Sequence, residues 1–436
     1  MSSFLFNSAR KPLALLLLVM LGIATPLRAH AADKKKKPAT TATADGPRKF
    51  NFDPKKLVWP SPPNVARVRW LDYFAGVKID YSAPEATKTK QSWMDRLAGT
   101  ESQQEKVNTK TFPFQLIGPY GIAIDSKNKV YVADQKVGAV FIFNTDTHDT
   151  ELIRNGYEAH FGWINGLAID DDDRLFVSDG KLHHVVVFSP KHEVDGQVTE
   201  GLVDPVGLAI DTANRFLYVV DTQQDQVLVY DTDTYKLLRR IGTGGKNHTL
   251  TDPGDFGAPQ GVAVDADGNV YVTDTLYDRG EIFDADGNFI STFGKNGDGP
   301  GYFERPKGIA VDGDGHIWVA DEVQDRLQVF DKDGHLLTYI GYKHGDLPGQ
   351  FQALVGVAID KNNRVFTTEQ YPGRLQEFQY ISDAQAEAEK QHTAEEAEKR
   401  ATEHRTAATQ TPADKPAQTP AAAAPQSELS APKTSQ

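Results

Sequence analysis

A phrase that recurs six times sets the limits on what this chain can fold into. It runs Gly-apolar-Ala-apolar-Asp, then a short polar turn, then an aromatic-led run that ends in an acid. It reads GIAID at 121–125, GLAID at 166–170 and again at 207–211, GVAVD at 261–265, GIAVD at 308–312 and GVAID at 356–360. The glycines stand 45, 41, 54, 47 and 48 residues apart. Short β-rich runs at a period in the forties, none able to bury its apolar faces alone, are the pattern of propeller blades. Each copy predicts an inner strand, a tight turn, a second strand (131–134, 176–179, 218–221, 271–274, 318–321 and 366–369), a loop and a third strand. A fourth, outer strand is visible at 237–241, 289–293 and 336–340. The expected fold is all-β: a six-bladed β-propeller of four-stranded antiparallel blades.

The sixth copy has no fourth strand of its own. Upstream, an orphan run Trp70-Leu71-Asp72-Tyr73-Phe74-Ala75-Gly76 echoes the outer-strand run Leu336-Leu337-Thr338-Tyr339-Ile340-Gly341. An open ring would leave unpaired edges and an uncovered blade face. The N-terminal run at 68–74 is therefore expected to pair with the last blade and close the ring.

Outside the repeats the composition shifts. Residues 1–31 read as a secretory signal peptide: Arg10 and Lys11, an apolar run at 13–23 too short to span a bilayer, and a small-x-small site at Ala29-His30-Ala31. Residues 32–56 read as a disordered linker, 57–80 as an extended segment with the closing strand, and 81–111 as an excursion with a short helix. The propeller occupies 112–380. A polar helix is expected at 381–405 and a disordered Ala/Pro-rich tail at 406–436.

The chain has no cysteine, which rules out disulfides, cysteine-ligated metals, covalent c-type haem and a lipidated N-terminal cysteine. Its formal charge is −13, and the leader carries Arg10, Lys11 and Arg28 but no acid, so the remainder is more acidic still. Such a balance opposes nucleic-acid binding, which calls for clustered Lys and Arg. The expected location is the periplasm or exterior of a bacterium. No membrane insertion after leader cleavage and no lipid anchor are expected.

The repeats resemble NHL repeats. The resemblance rests on Pro259-Gln260-Gly261-Val262-Ala263-Val264-Asp265 with Asn269-Val270-Tyr271-Val272-Thr273-Asp274, and on the matching residues of the next copy, 306–312, 317–321 and 325–330. The Gly-rich run at 294–303 looks like the family's approach to each inner strand. The resemblance covers 112–380 and implies the propeller fold. It implies no single function, because similar propellers bind proteins, bind RNA or act as lyases, and lactonases use a related architecture. The amidating-lyase branch places histidines just before the inner-strand glycine. Here those positions hold Tyr120, Asn165, Val206, Gln260, Lys307 and Val355, so that zinc site is not expected.

The acids that close the second strands recur in every copy, and a residue needed by each blade reads as loop capping rather than catalysis. The Asp-x-Asp-Gly runs at 265–268, 284–287, 312–315 and 331–334 read as hairpin turns, since none continues to the Glu of a calcium loop. Neither a nucleophile elbow nor a phosphate-binding loop is present. No catalytic residue and no cofactor are assigned; structural or catalytic calcium or zinc is left open.

A surface remains. The long connections before the inner strands share one face with the loops between second and third strands, and long loops on a rigid disc are where binding residues collect. The candidate binding residues are Tyr120, His160, Trp163, Asn165, Gln260, Tyr277, Tyr302, Lys307 and Tyr371. Phe303 and Phe351 read as loop packing, and Arg279, Arg326 and Arg374 as framework. The chain is thus expected to be an exported, non-catalytic scaffold binding an envelope protein or peptide. The alternatives are a metal-assisted lactonase or lyase, or a small-ligand sensor, at the channel mouth.

Overall fold

The computed structural model describes residues 52–76, 115–244, 252–341 and 344–382, together with helical positions 384–388, 390–391, 395 and 399. The leader, nearly all of the first linker, the 81–111 excursion and the 406–436 tail lie outside the described residues.

Six antiparallel sheets form the six blades. Blade 1 runs from its inner strand Pro119–Ile124 through Lys129–Asp134 and Ala139–Asn144 to the outer strand Thr150–Arg154. The inner strands of blades 2 to 6 are Ile164–Ile169, Pro205–Asp211, Pro259–Val264, Pro306–Val311 and Leu354–Ile359. Blades 1 and 2 also carry outer strands, Thr150–Arg154 and Val194–Val198, that the sequence pattern did not reveal. Their residues are mostly polar or solvent-facing, and Val194–Val198 holds a glycine, so no apolar alternation marks them.

Side chains of the second and third strands point alternately into the two seams that flank each blade. Every seam is filled by its own apolar cluster. Between blades 5 and 6, for example, Trp318, Val329, Phe351, Val357 and Phe378 pack together. Phe303 and Phe351 are fully buried, as the packing reading expects, and Phe161 and Phe256 hold the same place in other seams.

The repeated glycine has a steric cause. In every blade the inner strand shifts register against the second strand around this residue. There the backbones of neighbouring inner strands meet. A Cβ on Gly121 would lie under 3.0 Å from the Asn165 carbonyl oxygen; one on Gly308 would lie 2.6 Å from that of Val355. The contact repeats around the ring until Gly356 faces the Tyr120 carbonyl and closes the circle. Hydroxyls on the second strands stitch the same seams. Ser178, Thr273 and Thr368 each donate from the side-chain oxygen to a carbonyl of the next blade, Val206, Lys307 and Tyr120, all at 2.6 Å.

The ring closes as the sequence predicts. Val68–Phe74 pairs antiparallel with Arg374–Tyr380, from Val68 opposite Tyr380 to Phe74 opposite Leu375. The buried Trp70 indole donates to Gln376 Oε1 at 3.0 Å. A two-residue strand, Val58–Trp59, adds a fifth strand outside this one. Ordered structure begins before residue 57, where the sequence reading placed its boundary. Pro54–Lys56 make a 3-10 turn, because Leu57 and Trp59 pack on blade 6 and hold it there. At the other end Ser382 caps a helix: Gln385 N donates to Ser382 Oγ at 3.3 Å, and Gln385 Oε1 accepts from Ser382 N at 3.0 Å. Ala386, in the first turn of this helix, is buried. Among the described residues no helix is long and apolar enough to cross a membrane.

Candidate functional site

The acids that end the second strands decide the shape of the loop face. Asp134 Oδ2 accepts Ile117 N (2.6 Å) and Gly118 N (2.9 Å) from the long connection, and its Oδ1 accepts Lys136 N and Val137 N from the short loop. Asp179, Asp221 and Asp321 repeat this double role. Both loop sets therefore lie on one face, tied to the disc by a buried carboxylate in each of these blades. In blade 6 Glu369 takes the acid's place, accepting Gln352 N and two bonds from the buried Arg374 guanidinium (2.8 and 3.0 Å). Arg374 then donates to the Asp346, Leu347 and Gln350 carbonyls and pins the loop above it. Arg279 pairs with Asp274 and Glu281 in blade 4, and Arg326 donates to the Asp298 carbonyl in blade 5, so the three arginines are framework.

At the channel mouth Tyr120 reaches from blade 1 to blade 4, where its hydroxyl donates to Gln260 Oε1 at 2.7 Å. Gln260 Nε2 in turn donates to Thr222 Oγ1 at 3.2 Å. The Lys307 ammonium sits 5.8 Å from the Tyr120 ring centroid and 3.8 Å from the Glu322 carboxylate. Burial lowers the Lys307 pKa, and Glu322 works against that shift. Burial, followed by the charges of Glu322 and Asp204, holds the Tyr120 phenol protonated well beyond its ordinary range. Behind Tyr120 the channel narrows to a cavity of about 70 Å³ ringed by Ile122, Leu167, Leu208, Val262, Ile309 and Val357. That space suits a few waters and no substrate-sized molecule.

Above the mouth, over blades 1 to 4, opens a wider recess of about 540 Å³. Tyr120, Trp163, Asn165 and Gln260 all line it, so the structure brings four of the sequence candidates together. Asn165 is buried and spent on position: its Nδ2 donates to the Pro205 carbonyl (3.1 Å) and its Oδ1 accepts from Gln135 Nε2 (2.8 Å). Lys307 lies deeper, in the channel wall. The other four candidates stand apart. Tyr277 packs against Gly257 beneath the Arg279 guanidinium, and Tyr302 packs on Gly297 and Gly299 with Lys295 over its ring. His160 is exposed on its loop, and Tyr371 is exposed with Lys136 over its ring. The candidate list missed Gln135, Lys181, His183, Asp204 and Gln223, which complete the recess. The available signal was an acid three residues before the repeat glycine, a place where the other copies hold Gly118, Trp163, Ala258, Arg305 and Ala353.

The Asp-rich turns lie on the opposite face. Asp265 Oδ1 accepts Asp267 N (3.0 Å) and Asn269 N (2.8 Å), and Asp312 and Asp331 do the same in their turns. They are turns, as their sequences imply.

Residues 197–294 match the SMP-30/gluconolactonase/LRE-like region, and residues 303–330 match the NHL repeat. The six-bladed ring and these partial matches define the class as a six-bladed β-propeller, consistent with the NHL-repeat propellers. No curated protein sequence matches the chain. Among solved structures, a protein of unknown function from Bacteroides thetaiotaomicron is 19% identical with a TM-score of 0.50, over 61% of this chain and 70% of that one. A gluconolactonase from Xanthomonas campestris is 18% identical (TM-score 0.48; 61% and 87% covered), and a virginiamycin B lyase from Staphylococcus aureus 14% (0.45; 61% and 96%). At such identities the likeness is one of fold.

Proposed function

We propose that this chain is an exported binding propeller that docks another polypeptide of the cell envelope on its long-loop face, without covalent chemistry. One observation carries the reading. The position two residues after the second-strand acid is Leu276, Val323 and Tyr371 in blades 4, 5 and 6, and these side chains are 67%, 46% and 54% exposed. The same position in blades 1 to 3 is Lys136, Lys181 and Gln223. Apolar side chains held in the open at equivalent places on three consecutive blades form an arc on the loop face, and exposed apolar patches mark interaction sites. Ile117, also exposed, extends it past the seam between blades 6 and 1. Buried carboxylates fix these loops beforehand, so little conformational entropy is lost when a partner settles on them.

The test is differential capture. The full chain is cross-linked in envelope fractions beside a Leu276→Asp/Val323→Asp/Tyr371→Asp variant and a control, Leu238→Asp/Leu337→Asp, that alters exposed residues of outer strands. A discrete partner should be held by the wild type and the control and lost from the loop-face variant. Equal retention by all three refutes the reading. Export is checked by N-terminal sequencing of the periplasmic protein, which should begin at Ala32.

A second reading, a metal-assisted lactonase or lyase, draws on the match at 197–294, a stretch that contains Asp204 and Gln260 of the recess. The donor set fits a metal poorly. The Asn165 amide is already committed to Gln135 and Pro205, and Asp204 is a single carboxylate. Among the described residues the three-ligand groups of His and carboxylates are Asp170–Asp171–Asp172 and Asp331–Asp333–His335, in turns of the far face. Metal analysis of protein purified without chelator separates the two: one zinc or calcium per chain that Asp204→Asn abolishes would favour the enzyme.

A further inference from the structure

We infer that the recess over blades 1 to 4 binds a cationic group, the guanidinium or ammonium of a basic side chain, with Asp204 as its counter-ion. This rests on the docking reading above and supplies the partner's anchor residue.

The argument begins with what Asp204 does not do. Its main chain is fixed on both sides, since its N donates to Asp221 Oδ1 at 3.1 Å and its carbonyl accepts from Thr222 N at 3.1 Å. Its carboxylate stands against Gly180, where an added Cβ would collide with Oδ1. Among the described residues that carboxylate has no hydrogen bond and no ion pair. Neighbouring acids of the loop face are committed: Asp179 and Asp221 cap loops, Asp225 accepts Ala258 N, and Glu322 faces Lys307. Asp204 is half-buried, and its pKa is raised first by that burial and then by the Asp221 charge. A carboxylate placed beside another and short of solvent gains most from a cation brought to it.

The rest of the recess suits a guanidinium. The Trp163 indole, 47% exposed, forms an open aromatic wall on which a planar cation can stack. The side-chain amide oxygens of Gln135 and Gln223 offer acceptors for the remaining N–H groups. The His183 ring is tied through Nδ1 to the Val203 carbonyl. Lys181 also lines the recess but is exposed, so its charge is screened by water more than that of half-buried Asp204. The arc of Leu276, Val323 and Tyr371 lies on blades 4 to 6. A polypeptide laid across the face would thus meet apolar contacts on one side and a charged anchor point on the other.

The test titrates the full chain with N-acetylargininamide, its neutral isostere N-acetylcitrullinamide, and N-acetylglutamate, followed by calorimetry. The argininamide should bind saturably and at least about tenfold more tightly than the citrulline compound, a difference of about 1.4 kcal/mol. Asp204→Asn should bring the two to the same affinity. That variant should melt no lower than the wild type, because the carboxylate it replaces makes no bond and its charge is opposed by burial and by Asp221. Equal affinity for the two amides, preference for the glutamate, no saturation with any probe, or an Asp204→Asn variant that still prefers arginine each overturns the inference. The two ideas fail separately. Loss of the partner from the Leu276/Val323/Tyr371 variant but not from Asp204→Asn leaves docking standing without this anchor. Arginine binding with partner capture unaffected by the loop-face variant leaves the anchor without docking.

Discussion

Replacing Gly308 with alanine tests the steric account of the repeat directly. An alanine Cβ there would lie 2.6 Å from the Val355 carbonyl oxygen, 2.9 Å from the Gly356 Cα and 3.0 Å from the Val357 nitrogen. All three are backbone atoms, so no rotamer change relieves the clash. The inner strands of blades 5 and 6 must separate by roughly 0.8 Å to restore ordinary van der Waals distance, taken as 3.4 Å. A closed ring has no free edge to absorb that movement, so the other seams must share it. Overpacking of this kind costs about 1–3 kcal/mol, and the rigid opposing backbone argues for the upper end. For a folded region of this size, about 3 kcal/mol corresponds to a fall of about 6 °C in melting temperature. Gly313→Ala is the control, five residues away in a turn where an added Cβ meets nothing within 4 Å. It should be neutral, or stabilise by a few tenths of a kcal/mol through the unfolded chain. The assay is thermal unfolding followed by circular dichroism, with urea midpoints as a second measure. If Gly308→Ala and Gly313→Ala melt together with the wild type, the inner strands do not depend on this close approach and the reasoning is wrong.

Three further outcomes are expected. Arg374→Met leaves the buried Glu369 without its cation and should cost about 3–5 kcal/mol, with faster proteolytic cleavage within 344–353 as the pinned loop is released. Trp70→Ala empties the closing seam and removes one of the two donors to Gln376 Oε1, leaving Gly349 N; a loss of about 3–5 kcal/mol in urea unfolding is expected, and a value under about 1 kcal/mol would mean the N-terminal strand is dispensable to the ring. Glu377 is buried, which pushes its pKa up to about 7; Asp72 reinforces the shift and Arg364 opposes it. A carboxyl raised in this way holds its proton more tightly in the folded chain. Its stabilising contribution is therefore present at low pH and is lost as pH rises from its ordinary value toward 7, on the order of 3 kcal/mol in all. The melting temperature of Glu377→Gln should accordingly fall less than that of the wild type between about pH 5 and about pH 8.

Much of the fold was legible because each repeat had to solve the same steric problem. The glycine that lets inner strands touch, the acid that caps two loops and the aromatic that fills a seam recur at fixed spacing, and all three can be read without coordinates. The closing strand was legible for a related reason: Trp70-Leu71-Asp72-Tyr73-Phe74 carries the alternation of an outer strand with no blade of its own. The outer strands of blades 1 and 2 were not, since Val194–Val198 presents polar side chains and a glycine to water and leaves no pattern. The site was legible only where it coincides with the repeat. Tyr120, Asn165 and Gln260 precede the glycine and so face the mouth. Asp204 was missed because its role depends on a recess assembled from four blades. Tyr277 and Tyr302 were chosen for being aromatic on long loops, and their rings are spent on the packing of those loops.

The clasp that closes the ring also decides how the molecule responds to being pulled. Val68 lies opposite Tyr380 at one end of an antiparallel pair, and the chain continues from that end toward both termini. A force applied through the two tails, once Val58–Trp59 has detached, arrives at the same pair of residues. It opens the ladder from Val68–Tyr380 toward Phe74–Leu375 one bond at a time and never loads the bonds together in shear. Individual backbone bonds contribute only about 1 kcal/mol net. A ring made cohesive by six seams therefore carries a single release point, and tension between its ends finds that point first.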